Sequence, residues 1–259
     1  MFRARYAEVI LHIRDYAEKL PHSNCWVHQD RAMSIILALT SGRDGVVASD
    51  GRRFHPVHLV NGVPSEPASV STDEFNKTFS LNGGNVVGAF CGLLEFSGAT
   101  VAEHIADIMS DMSSAGGTFL SLVIRIEEQL RNRLNEIDTV EVIPSCRNVD
   151  LLLVGGACLT RADVRIAAVR FCAGDDGVTA SRELVSADRA NRYYLYGDDQ
   201  AVAGASAVLN ANRAPNKDAK FLLHLARRAI ESGIRNCGTH PHGTERACGG
   251  EIFTARTWY

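Results

Sequence analysis

Two apolar β-hairpins in the first part of the chain constrain its fold more than any other feature of the sequence. Residues 34–40 and 46–49 are short apolar runs separated by a Gly-Arg-Asp-Gly turn. A second hairpin is predicted at 77–81 and 86–90, around an Asn-Gly-Gly-Asn turn. Short apolar runs that are rich in strand-forming residues and bounded by turn residues are typical of buried strands. The sequence therefore predicts two hairpins, the first of them with two well-buried strands.

The rest of the chain alternates between pairs of helices and groups of strands. Helices are expected at 99–112, 119–137, 200–209 and 218–232. Apolar stripes mark 119–137 and 218–232, the segment 200–209 is rich in small residues, and Gly233 closes the last helix as a C-terminal cap. Strands are expected at 150–155, 164–171, 192–196 and 250–257, and a loop at 52–71. All apolar faces are covered if two antiparallel sheets stack face to face with helices on both outer sides. The predicted fold class is therefore α+β, a four-layer αββα sandwich.

Composition and charge limit the classes of partner. Hydrophobic residues make up 46% of the 259 residues, and the formal net charge is −3. This balance is ordinary for a globular protein and gives no support for a nucleic-acid or anionic-membrane partner. No apolar run reaches the about 18–20 residues of a membrane span, and charges interrupt residues 1–20 too often for a secretory signal. The seven scattered cysteines indicate a reducing, cytoplasmic compartment.

The common cofactor and metal signatures are absent from the sequence. It contains no Gly-x-Gly-x-x-Gly after a strand, no phosphate-binding Gly-x-x-x-x-Gly-Lys-Ser/Thr, no His-Glu-x-x-His and no Gly-x-Ser-x-Gly. Cys237, His240, His242 and Cys248 carry side chains that bind zinc, but their spacing matches no standard structural module. The sequence therefore predicts neither a cofactor nor a metal.

Polar residues follow the predicted hairpin strands in a recognisable order. The first hairpin ends in Ala-Ser-Asp-Gly-Arg-Arg at 48–53, and the second begins at Lys77 and is followed by Gly92. Near the end of the chain, residues 248–252 read Cys-Gly-Gly-Glu-Ile. Together with the first strand and its Asp-Gly turn, these features make the sequence from 34 to about 258 resemble the proteasome β-subunit family. That family and its bacterial relatives are a branch of the N-terminal-nucleophile hydrolases.

The resemblance implies a threonine-type endopeptidase whose nucleophile is the first residue of the mature chain. In such enzymes a hydroxyl attacks the peptide carbonyl, and the α-amine of the same residue acts as the base. Carried over by position, Ser34 is the nucleophile and Lys77 is the cation beside its hydroxyl. Asp50 pairs with Lys77, and the backbone N–H of Gly92 stabilises the oxyanion.

The surroundings of the α-amine depart from the family pattern. Glu245 and Cys248 stand where the family has an aspartate and a serine, and Asp198 stands near another usual serine. Ser34 is also internal and follows Met33, where family members that remove a propeptide usually have glycine. Two routes would expose Ser34: Met33 is the true initiator and is removed, or the chain cleaves itself between the two residues.

This interpretation divides the chain into an N-terminal extension at 1–33 and a proteasome-like hydrolase domain at 34–259. The extension has an amphipathic helical pattern within 1–20. It is interpreted as a propeptide, a mis-assigned start or a helix at a ring entrance.

The resemblance also implies partners. It predicts homo-oligomeric rings or stacked rings, unfolded polypeptides as the substrate and a separate ATP-dependent unfolding partner. Two alternatives stay open. The chain is a non-catalytic ring scaffold in which Ser34 remains internal, or it is an N-terminal-nucleophile amidohydrolase that acts on a small amide.

Overall fold

A computed structural model gives the fold of most of the chain. It describes residues 34–55, 59–60, 63–64, 67–110, 117–137, 147–156, 163–174, 176–185, 192–212, 218–240 and 243–259. The predicted N-terminal extension at 1–33 lies outside the described residues. The strands are β1 (Ile35–Thr40), β2 (Gly45–Asp50), β3 (Arg53–Phe54), β4 (Leu59–Val60), β5 (Val63–Pro64), β6 (Val70–Thr72), β7 (Thr78–Leu81), β8 (Val86–Gly92), β9 (Glu95–Phe96), β10 (Ala99–Thr100), β11 (Val149–Gly156), β12 (Val164–Gly174), β13 (Gly177–Val185), β14 (Arg192–Gly197) and β15 (Ile252–Arg256).

Four α-helices lie in the part of the chain that the structure describes. They are α1 (Val101–Ser110), α2 (Phe119–Glu136), α3 (Asp199–Ala211) and α4 (Ala219–Asn236). Each overlaps a predicted helix, and α2 and α4 were indicated by apolar residues spaced three and four apart. Within the described ranges, no helix combines the length and the apolar character that crossing a bilayer requires.

Two antiparallel sheets organise the described residues. The first has the strand order β14–β1–β2–β15, and the second has the order β13–β12–β11–β8–β7. The two predicted hairpins are confirmed as β1–β2 and β7–β8. In the first hairpin Ile36 lies opposite Ser49, and in the second Thr78 lies opposite Ala89. The hairpins therefore belong to different sheets.

Three clusters of buried apolar side chains surround the sheets. One contains residues of both sheets, among them Ile36, Ala38, Val47, Val87, Ala89, Leu152 and Val154. A second joins the first sheet to α3 and α4 through Ile35, Leu37, Val46, Ala205, Leu222 and Ile230. A third joins the second sheet to α1 and α2 through Phe90, Leu151, Leu153, Ile105 and Leu130. Neighbouring residues of one strand thus enter different clusters, which explains the continuous apolar runs in the sequence.

Helix α4 is longer than the sequence predicted. The prediction ended the helix at 232 with Gly233 as its cap, but the helix continues to Asn236 and Gly233 is buried inside it. A Cβ at Gly233 would lie 2.5 Å from Cδ1 of Ile35 and 3.0 Å from the carbonyl oxygen of Ala201. The glycine therefore permits α4 to approach β1 and α3 closely, and packing rather than capping explains its presence.

Several strands were not predicted from the sequence. Strand β13 pairs with β12 alone at the edge of the second sheet, and most of its side chains are exposed or half-buried. An edge strand of this kind lacks the apolar pattern by which the buried strands were found. The predicted loop at 52–71 likewise contains the short strands β3 to β5 and the start of β6.

Candidate active site

Three of the predicted site residues meet between the two sheets. Nζ of Lys77 lies 2.8 Å from Oγ of Ser34 and 2.8 Å from Oδ1 of Asp50. Ser34 immediately precedes β1, Asp50 ends β2 and Lys77 immediately precedes β7. Because β1 and β2 are antiparallel, the start of one strand lies beside the end of the other. The hairpin therefore brings Ser34 and Asp50 together, and the second sheet supplies Lys77.

The ammonium group of Lys77 has three hydrogen-bond acceptors within reach. Besides Ser34 and Asp50, it donates to the carbonyl oxygen of Arg52 at 2.7 Å. An ammonium has three protons to donate, so each is matched by one acceptor. Lys77 is fully buried, and an unmatched donor or charge there would be costly. This environment suits a fixed cation beside the Ser34 hydroxyl.

Asp50 is the counter-ion of that cation and is also fully buried. Its Oδ1 atom accepts from the backbone N–H of Ile35 at 3.1 Å, and its Oδ2 atom accepts from that of Gly249 at 3.0 Å. A buried ion pair is tolerated when its remaining hydrogen-bonding positions are satisfied. The carboxylate of Asp50 therefore holds Lys77 and links β1 to the segment that precedes β15.

Gly92 lies near this cluster at the end of β8. The carbonyl oxygen of Lys77 accepts from the N–H of Phe90 at 3.1 Å, and Gly92 is two residues farther along the strand, about 7 Å. Gly92 is exposed, unlike the buried residues before it in β8. Its φ is 92°, and a Cβ would lie 2.3 Å from the carbonyl oxygen of Asn148. The position requires glycine, and its role as an oxyanion donor stays a prediction.

The residues predicted to surround the α-amine have other structural roles. Oδ1 of Asp198 accepts the N–H groups of Gln200 at 3.1 Å and Ala201 at 3.0 Å, so the side chain caps α3. The Asp198 backbone N–H donates to the carbonyl oxygen of Ser34 at 3.1 Å. Glu245 is exposed, and Cys248 is buried against Cys237.

Arg52 contributes more to the site than the sequence suggested. Its position after the first hairpin predicts a solvated or interface residue, but its carbonyl is one of the Lys77 acceptors and its guanidinium is bidentate to Asp73, at 2.7 and 3.0 Å. The hydrogen bond from Arg52 lowers the pKa of the Asp73 carboxyl. A Cβ at Gly249 would lie 2.6 Å from Cζ of Arg52. Arg52 therefore packs on the segment that donates to Asp50.

Gly197 fixes the backbone next to Ser34. Its φ is 142°, and a Cβ would lie 2.1 Å from the carbonyl oxygen of Ser34 and 2.9 Å from Cα of Ile35. Gly83 also has a positive φ, 66°, but no atom lies within 4 Å of its Cβ position. A residue with a side chain would be strained at either position. Only at Gly197 would that side chain also collide with neighbouring atoms.

We expect Gly197→Ala to lower the free energy of unfolding by at least about 3 kcal/mol, because a backbone clash adds to the strain. For Gly83→Ala, where only strain applies, we expect a loss of about 1 kcal/mol. Urea unfolding of both variants measures the difference. Equal losses would show that Gly197 is not constrained by Ser34.

Comparison with known proteins gives a similarity in structure and none in sequence families. No protein-family model matches the chain, and no curated protein matches it. Among solved structures, the chain is similar to "Anbu (ancestral beta-subunit) from Yersinia bercovieri" with a TM-score of 0.56. The match covers 86% of this chain and 80% of that chain at 13% sequence identity. The likeness is one of fold, and it agrees with the predicted proteasome-related architecture.

Proposed function

We propose that this chain is an N-terminal-nucleophile endopeptidase that hydrolyses the peptide bonds of unfolded polypeptides, with Ser34 as its nucleophile. The observation that carries the proposal is the 2.8 Å contact between Oγ of Ser34 and Nζ of the buried Lys77. We also propose that the fold is a four-layer αββα sandwich. The apolar clusters support this, because one joins the two sheets and the other two join each sheet to a pair of helices. We further propose homo-oligomeric rings or stacked rings, which confine the sites, and a separate ATP-dependent unfolding partner.

The hydrogen bonds of Lys77 bear on the identity of the base. A lysine whose three protons are all donated has no lone pair with which to accept the Ser34 proton. Lys77 therefore acts as a cation, and the base is another group. The α-amine of a mature Ser34 is the nearest candidate by covalent structure, and α-amines titrate at about 7.7–8.0. Near neutral pH such an amine accepts a proton readily.

The proposed reaction proceeds through an acyl-enzyme. The α-amine takes the proton of the Ser34 hydroxyl as Oγ bonds to the carbonyl carbon of the substrate, while Lys77 stabilises the developing charge on Oγ. The backbone N–H of Gly92 stabilises the oxyanion. The carbon–nitrogen bond then breaks and the amine returns its proton to the leaving group. Water hydrolyses the resulting ester, and Ser34 is regenerated.

The two alternatives differ from this proposal in what they require of Ser34. A non-catalytic scaffold needs only the Lys77–Asp50 pair, which is a sound structural ion pair by itself. An amidohydrolase uses the same residues on a small amide. The contact of Lys77 with a hydroxyl group favours the catalytic proposals over the scaffold. Fluorogenic peptides compared with small amide substrates would separate the two hydrolases.

Intact mass and N-terminal sequencing of the protein from its native cell test the proposal directly. We expect a chain that begins at Ser34 and that gains the mass of one β-lactone when treated with that electrophile. The adduct should map to the Ser34 hydroxyl, because a lactone acylates the group that attacks it. A chain that retains Met33 throughout and forms no adduct would contradict the proposal and leave the scaffold.

A further inference from the structure

The loop between α4 and β15 brings two cysteines together. Thr239 pairs with Arg246 in an antiparallel bridge. On either side of it, His240 N–H donates to the carbonyl oxygen of Glu245 at 2.7 Å, and Ala247 N–H donates to that of Gly238 at 2.9 Å. These bonds hold the two chain segments side by side at 238–240 and 245–247. Beyond them the N–H of Gly238 donates to Oδ1 of Asp198 at 3.2 Å and that of Gly249 donates to Oδ2 of Asp50 at 3.0 Å. Cys237 and Cys248 lie where the two segments leave the bridge.

A disulfide joins cysteines whose Cα atoms lie about 4.4–6.8 Å apart. The bridge between Thr239 and Arg246 holds the two segments that carry Cys237 and Cys248 side by side.

The sulfur of Cys237 already contacts Cys248. It lies 3.4 Å from both the backbone nitrogen and the backbone oxygen of Cys248. Cys248 is fully buried, whereas Cys237 keeps 8% of its surface exposed. Neither side chain is part of the proposed reaction. The pair thus combines a slightly exposed residue, Cys237, with a fully buried one, Cys248.

The electrostatic surroundings divide the two thiols into different roles. Hydrogen bonding from Cys248, through its thiol and its backbone N–H, lowers the pKa of Cys237 to about 6. Hydrogen bonding to Cys237 and burial raise the pKa of Cys248. The lowered pKa favours the thiolate form of Cys237, the form that reacts with peroxides, whereas Cys248 remains a thiol.

We propose that Cys237 and Cys248 form a reversible oxidation site for hydroperoxides. The Cys237 thiolate attacks one peroxide oxygen, the O–O bond breaks, and with one proton taken up the products are a sulfenic acid and water. The Cys248 sulfur then attacks the sulfenic sulfur and loses its proton, and a second water leaves. In total, two thiols and one hydrogen peroxide give one disulfide and two waters. A dithiol reductant returns both thiols by exchange.

The two cysteines lie beside the proposed active site, because Gly249, which follows Cys248, donates its N–H to Asp50. Their proposed oxidation does not depend on the function of that site. A disulfide would join the end of α4 to the segment that precedes β15 and close the loop at 238–247. Because oxidation is read from mass and peptide linkage, the outcome is independent of whether Ser34 hydrolyses any substrate.

Trypsin mapping of the whole protein after treatment with hydrogen peroxide tests the proposal. Cleavage after Arg235, Arg246 and Arg256 separates the two cysteines into different peptides, 236–246 and 247–256. We expect these peptides to remain linked after oxidation, with the loss of two hydrogen atoms, and to separate after dithiothreitol. The linkage should disappear in Cys237→Ser and in Cys248→Ser and persist in the control Cys172→Ser.

Several results would overturn the proposal. Oxygen added to Cys237 alone, with the peptides unlinked, would show that Cys248 does not resolve the sulfenic acid. Linkage of either peptide to another cysteine would show that the contact between Cys237 and Cys248 does not direct the reaction. Wild-type protein gives both readouts by itself, so the test stands even if a serine variant folds poorly.

Discussion

Replacing Ser34 with alanine is expected to reduce hydrolysis of fluorogenic peptides by at least about 10³-fold, since no group remains that can form the acyl-enzyme. The loss should appear in kcat rather than in KM, because the proposed role of the hydroxyl is in bond formation and not in substrate binding. Steady-state assays of the mature protein at saturating peptide measure it. The β-lactone adduct should be lost in the same variant.

Two further variants make this result specific to the hydroxyl. Ser49 on the neighbouring strand is also fully buried, and among the described residues its Oγ has no hydrogen-bond partner. Ser49→Ala therefore removes a buried hydroxyl without breaking a hydrogen bond. Turnover and stability should stay close to those of the wild type. Ser34→Thr keeps a hydroxyl at the site and should retain activity. Substantial turnover by Ser34→Ala would disprove the assignment of the nucleophile.

Strands β1, β2 and β8 were predictable because they are buried on both faces. The run at 34–40 is apolar at nearly every position, and the structure shows why: Ile35 packs towards the helices and Ile36 packs between the sheets. Strand β13 has no such constraint, since it lies at the edge of its sheet. Its polar residues face solvent, and the sequence pattern therefore carried no signal for it.

The site was predictable only in part, for a similar reason. Ser34, Asp50 and Lys77 follow or precede recognisable strands, so their order along the chain was enough to propose that they meet. The contribution of Arg52 depends on a backbone carbonyl that accepts from Lys77, and a backbone group leaves no trace in residue type. Gly233 was misinterpreted because a glycine that ends a helix and one that permits close packing look alike in sequence.

Removing the buried ion pair between Lys77 and Asp50 is expected to lower both the stability and the activity of the protein. Lys77→Met leaves the Asp50 carboxylate buried without a cation, and Asp50→Asn leaves the Lys77 ammonium buried without an anion. Each variant should lose about 3–5 kcal/mol of unfolding free energy. The double variant removes both charges, so its loss should be smaller than the sum by at least about 1 kcal/mol. Urea unfolding of the four proteins closes the cycle.

A surface pair supplies the matched control for this cycle. Nη2 of Arg53 lies 2.9 Å from Oε2 of Glu95, and the exposed fractions of the two side chains are 30% and 41%. Because water screens that pair, Arg53→Met should change the unfolding free energy by less than about 1 kcal/mol. Additive losses in the Lys77 and Asp50 cycle would mean that the two buried charges do not stabilise one another, contrary to their geometry.

The double variant also separates a structural ion pair from a catalytic one. If the pair only holds the sheets together, a folded Lys77→Met/Asp50→Asn protein should hydrolyse peptides at nearly the wild-type rate. If Lys77 stabilises the charge that develops on the Ser34 oxygen, the same folded protein should lose about 10²–10³-fold in kcat, the usual effect of removing one electrostatic stabiliser. We expect the second result, because Lys77 donates to the Ser34 hydroxyl as well as to Asp50. Circular dichroism of the double variant confirms that the comparison is made on folded protein, and full turnover by it would refute the catalytic role.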